Sequence, residues 1–172
     1  MTEKIVLTNI EPNLTATSED LAQIVLERIG LQPRKKNATQ AMHRAFIEFY
    51  ERAKKATAQK DPKLAVMSVD DMAMYAKISK QTMYEYLGRW LELGIIQKVT
   101  FVGEDTKVVI GYKLSGSTIE ESFTKVRSRI EKNLNVTQKL IQDLQKALKN
   151  EKISASMKKG ESEVNLDKSI YD

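Results

Sequence analysis

Ser68–Leu114 reads SVDDMAMYAKISKQTMYEYLGRWLELGIIQKVTFVGEDTKVVIGYKL. Ser68 is placed to cap a helix, and Asp70 and Asp71 in its first turn suit the helix dipole. A short helix, a tight turn at Lys77-Ile78-Ser79 and a longer helix capped by Ser79 follow, and Gly94 ends the second helix. Ile95–Phe101 then reads as a strand, Val102–Thr106 as a polar turn, and Lys107–Leu114 as the returning strand. The order is helix, turn, helix, hairpin.

The second helix of such an arrangement must bury one side and offer the other. Met83, Leu87 and Trp90, then Leu93 to Ile95, supply the buried side, to pack on Met72, on Met74 or Ala73, and on Ile78. Ser79 leaves free N–H groups at the helix start, where phosphate binds readily. Lys80, Gln81, Thr82, Tyr84, Glu85 and Arg89 remain on the open face. Gln and Arg suit bidentate reading of adenine and guanine edges, whereas Thr, Lys and Tyr suit phosphates. Glu85 is repelled by phosphate, yet it can accept from the cytosine amino group or orient Arg89 one turn along. Gly88 costs the helix ~1 kcal/mol against Ala. It points to close approach of DNA or, more simply, of a neighbouring helix.

These residues in this order resemble the winged helix-turn-helix of transcriptional regulators, the broad group of MarR-like, PadR-like and archaeal TrmB-like proteins. The resemblance covers 47 residues plus the helix before them. It implies a mainly α fold with a small β-hairpin wing (α+β), and a recognition helix over about Lys80–Leu93 laid in the major groove of double-stranded DNA. It also implies a long helix after the wing that dimerises. Wing tips in such proteins are often basic; here the tip holds Glu104 and Asp105, which leaves Lys98, Thr106 and Lys107 as the phosphate contacts.

Thr118 to about Glu151 reads as that long helix. Ile119, Phe123, Val126 and Ile130 are spaced four, three and four apart, a coiled-coil seam. The pattern slips at Asn133-Leu134 and resumes at Ile141, Leu144 and Leu148. Ile119, Phe123, Val126, Ile130, Leu134, Ile141, Leu144 and Leu148 are therefore the expected dimerisation residues of a homodimer. Residues 152–172 are small, charged and nearly aperiodic, which predicts a disordered tail.

Upstream, Ile5, Leu7 and Ile10 suggest a short edge strand ended by Pro12. Thr17 with Asp20 forms a capping box, and Leu21, Ile24, Val25 and Ile29 follow at helical spacing up to Gly30. Gln32–Lys36 is a basic linker. Asn37 with Gln40 opens a longer helix whose apolar face is Ala41, Met42, Ala45, Phe46, Phe49, Tyr50 and Ala53. The expected organisation is an N-terminal segment (1–36), the DNA-binding domain (37–116), the dimerisation helix (117–151) and the tail (152–172).

Composition narrows the rest. There are no cysteines and a single histidine, His43, which leaves no disulfide, thiolate zinc site or histidine-based catalytic set. His43 fits a helix flank, and Met67, Met72, Met74 and Met83 fit core filling. Asp70-Asp71 and Glu120-Glu121 are acids explained by capping and solvation, so no enzyme, metal or cofactor is expected. Net charge is +5 and the pI about 9.2, in keeping with a polyanionic partner. No apolar run is long enough to span a bilayer and the first residues are unlike a signal peptide, so a cytoplasmic protein without membrane contact is expected. Two other readings fit the same residues: a DNA-binding partition or replication protein, and a winged helix that grips a protein partner.

Overall fold

The computed structural model describes residues 6–32, 41–102 and 108–168. It is mainly helical, with one two-stranded antiparallel sheet. The chain forms two compact units, Met1–Arg127 and Ser128–Asp172.

Within the first unit, α1 (Ser18–Arg28) starts at the expected capping box. Asp20 N donates to Thr17 Oγ1 at 3.2 Å and Thr17 N donates to Asp20 Oδ2 at 2.9 Å. The chain before it forms no strand over residues 6–12; Thr8 N instead donates to Arg28 O at 2.9 Å, and Arg28 Nη1 reaches the carbonyl of Ile10. The buried face of α1 also differs from expectation. Leu26 and Ile29 point into the core with Leu31, while Leu21 and Val25 stay exposed. Leucines, isoleucines and valines occur around more than one side of this helix, so spacing alone admits two faces, and contact with the next helix selects one.

That helix, α2 (Met42–Gln59), is the spine of the unit: α1, α3 and β2 all pack against it. The proposed Asn37/Gln40 cap lies outside the described residues. Met42, Ala45, Phe46, Phe49 and Ala53 are buried as the pattern requires, whereas Tyr50 remains accessible. His43 is a correction: it is buried rather than on a flank, with Nε2 3.7 Å from a carboxylate oxygen of Glu19. A 3₁₀ turn (Pro62–Ala65) follows, begun by Asp61, whose carboxylate accepts from Lys63 N.

The helices α3 (Val69–Ala76) and α4 (Lys80–Leu93) come next, then the hairpin of β1 (Ile96–Val102) and β2 (Val108–Leu114), paired from Ile96–Leu114 to Val102–Val108. One further pairing holds the hairpin to the helices. Met67 N donates to Tyr112 O and Tyr112 N donates to Met67 O, both at 2.8 Å. Gly111 makes this approach possible, since a Cβ there would lie 2.1 Å from Val66 Cγ1.

The last helix, α5 (Ile119–Lys168), runs beyond Glu151, where periodicity places its end. Aperiodicity from Lys152 onward removes a packing face without removing helix propensity, and no proline interrupts the stretch. Its start belongs to the first unit. Ser122 is fully buried, its hydroxyl donating to Thr118 O and accepting from Gly116 N. Val126, expected in an intermolecular seam, is 2% exposed and packs in its own unit. Ile119 and Phe123 line a cavity of about 670 Å³ with Val25, Phe46 and Tyr50. Seam spacing cannot distinguish these residues, because a helix returning to its own domain also requires an apolar stripe.

The second unit is the remainder of α5. Leu134, Ile141, Leu144 and Leu148 are 62%, 47%, 57% and 50% exposed. No described helix is long and apolar enough to cross a membrane.

Candidate nucleic-acid interface

The placement of α4 starts with α3. Ser68 and Asp71 form a full capping box, and Arg52 on α2 holds the same corner, with Nη1 2.8 Å from Val66 O and 3.1 Å from Asp71 Oδ2. Lys77 ends α3 in the left-handed conformation (φ 54°), which turns the chain sharply. Ser79 then caps α4: its Oγ accepts from Thr82 N at 3.1 Å and lies 2.8 Å from Thr82 Oγ1. Gly94 (φ 77°) closes the other end.

One side of α4 is driven into the core. Met83, Leu87, Trp90 and Leu93 are buried, and the Trp90 ring meets Phe46 edge-on at 5.8 Å and Phe49 at 6.2 Å. Met72 and Ala73 receive this face from α3, while Met74 is a correction, 64% exposed. Ala73 sits one position before Met74 and takes the inward site that sequence spacing left open between them.

The opposite side is open. Gln81, Tyr84, Glu85 and Gly88 are all exposed. Their i, i+3, i+4, i+7 spacing makes one stripe along the helix. Lys80 and Ser79 are exposed at its start. Lys80 Nζ is 2.8 Å from Asp70 Oδ2, and this hydrogen bond and its charge hold the ammonium above the usual lysine range. A phosphate at this end would exchange with Asp70 for Lys80, and such solvent-exposed pairs exchange readily.

Two expected members stand differently. Thr82 is half-buried, its backbone and hydroxyl engaged by Ser79. Arg89 is half-buried too, with its guanidinium 5.8 Å from the Tyr86 ring centre. Glu85 forms no ion pair with it among the described residues, so Glu85 does not orient Arg89. The Arg89 Nη1 is shielded from solvent and finds no acceptor among the described residues.

Of the two expectations for Gly88, a neighbouring helix finds no contact among the described residues, where a Cβ at this position would meet nothing within 4 Å. The glycine nevertheless costs ~1 kcal/mol of helix stability relative to Ala.

The hairpin adds Lys98, exposed on β1 opposite Tyr112. Thr106 and Lys107 lie outside the described residues. On the Lys98 face, Val102, Val108 and Ile110 are exposed. Val102 and Val108 are direct cross-strand partners. Sequence reading missed this apolar end, because valine and isoleucine in a strand are ordinarily taken as core-facing. Their position beyond the Met67–Tyr112 bridge is what leaves them uncovered. No group of three or more His, Asp or Glu that could hold a metal ion occurs among the described residues.

Comparison with models of known families, with curated proteins and with solved structures yields no match for this chain.

Proposed function

We propose that the protein is a sequence-specific binder of double-stranded DNA, a homodimeric transcriptional regulator of the winged helix-turn-helix kind acting in the cytoplasm, with α4 as its recognition helix. One observation carries the reading. An amphipathic helix is fixed on its apolar side by Trp90, Met83 and Leu87, and its outer stripe of Gln81, Tyr84, Glu85 and Gly88 is exposed. A rigid helix with a polar, hydrogen-bonding outer face fits a major groove. The hairpin, tied by the Met67–Tyr112 bridge to the residue just before the α3 cap, supports the wing assignment. Lys98 is its available phosphate contact.

Gln81 reads a base edge in this account, while Arg89 and Lys98 hold the backbone. Selection of bound sites from random duplex DNA should yield a two-fold symmetric sequence with half-sites about one helical turn, ~34–36 Å, apart. Gln81→Ala should then weaken the selected site by ~1–3 kcal/mol and random DNA much less. Arg89→Ala should weaken both alike. Clustered direct repeats in place of one palindrome would favour partition or replication, and equal losses for Gln81→Ala on both DNAs would remove it as the reader.

A second reading has an observation of its own. The exposed Val102, Val108 and Ile110 at the far part of the hairpin suit a protein partner better than a phosphate backbone. A protein-assembly module would bind no duplex DNA at low salt.

A further inference from the structure

We infer that the duplex makes its closest approach to α4 at Gly88, so that DNA contacts this helix along two turns rather than at its N-terminal end alone; this rests on the DNA-binding reading above. Gly88 sits in the interior of a 14-residue helix. Its φ is not positive, unlike Gly30 and Gly94, so no turn or cap demands glycine there. No side chain or backbone packs against it within the described residues, and a methyl group would stand in open space. Among the described residues no packing contact or turn accounts for a helix-weakening residue there, whereas an external surface close to the helix backbone does.

The surroundings identify that surface. Gly88 follows Gln81, Tyr84 and Glu85 along the exposed stripe, separated from Gln81 by about 10.5 Å of helix axis. A helix docking at a glycine would need apolar flanks to bury, whereas this stripe is polar. The chain carries net charge +5, which suits the sugar–phosphate wall of a duplex as the surface outside α4. Gln81 then faces base edges at one end of the contact, and Gly88 marks where the groove wall crosses α4.

The test uses the full chain and its selected duplex. Gly88→Ala and Gly88→Leu are compared with the unaltered protein by thermal melting, sedimentation and DNA titration. Gly88→Ala should raise the melting temperature by ~2–8 °C through helix propensity, leave sedimentation unchanged and weaken DNA binding by about tenfold to 100-fold. Gly88→Leu should weaken it further. Opposite signs for stability and affinity are not produced by misfolding. Unchanged affinity in both variants would overturn the inference while leaving the DNA-binding reading intact. A changed oligomeric state would also overturn it, by assigning Gly88 to a contact between copies. Failure of the unaltered chain to bind DNA would instead remove the underlying reading.

Discussion

Two amphipathic helices of this chain treat their apolar residues in opposite ways. In α4, Met83, Leu87 and Trp90 are sealed in the core with Phe46 and Phe49. In α5 beyond residue 128, Leu134, Ile141, Leu144 and Leu148 remain in water. Both stripes have helical spacing and both consist of large side chains. The difference teaches that the stripe of α4 stabilises the unit that carries it, whereas that of α5 calls for a surface outside its own unit. On the proposed reading that surface is the same stripe of a second copy, since a long helix with a self-complementary seam pairs most simply with itself.

The sharpest way to test the contrast is to truncate one residue in each stripe. Trp90→Ala should cost about 3–5 kcal/mol in denaturant unfolding of the first unit, because it removes the ring that Phe46 and Phe49 pack against. A loss below about 1 kcal/mol would mean that α4 is not anchored as described.

The α5 stripe should respond in the other currency. Ile141→Asp with Leu148→Asp should shift sedimentation from dimer to monomer at micromolar concentration and leave the unfolding of the first unit within about 0.5 kcal/mol of the unaltered chain. A dimer that survives both charges would place the contact elsewhere, with Phe123, half-exposed at the start of α5, as the next candidate.

A smaller effect tests how the hairpin is held beside the helices. Gly111→Ala puts a Cβ 2.1 Å from Val66 Cγ1 and should destabilise by about 1–3 kcal/mol. The Met67–Tyr112 amide hydrogens should exchange faster in the variant. Unchanged exchange would show that the bridge yields without loss.

The smallest expected effect is a pH slope. At the start of α5, Glu121 accepts from Ser117 Oγ and Ser117 N and pairs with Lys125 at 3.2 Å, which together hold its carboxyl down to about 2. A depressed folded pKa contributes stability that is present above the unfolded value near 4.5 and is lost as pH falls toward 2. Glu121→Gln should therefore flatten the stability profile across that window and leave the slope near neutrality unchanged. An identical acid slope in both proteins would remove the cap from the account.

Features fixed by neighbours in sequence were legible before the structure. The Thr17/Asp20 box, the Ser68 and Ser79 caps, Gly94 and the buried side of α4 all depend on residues within one or two turns. Features set by distant partners were not. Leu26 displaces Leu21 and Val25 from the core because α2 lies on one side of α1, and Met67 pairs with Tyr112 across the whole of α3 and α4. In the candidate interface, the exposed positions 80, 81, 84 and 85 followed from helical spacing. Arg89 did not, since its long side chain folds against Tyr86. At Gly88 spacing leaves DNA and a neighbouring helix both open, and only the space around the residue, empty among the described residues, separates them.

The central claim is that the outer stripe of α4 serves DNA, and a salt titration of duplex binding by the full chain tests it most directly. A dimer neutralising about 6–10 phosphates should lose ~10³–10⁵ in affinity between 50 and 200 mM salt, because lysine and arginine contacts release condensed counterions. Binding that barely responds to salt, or no binding at 50 mM, would contradict the account.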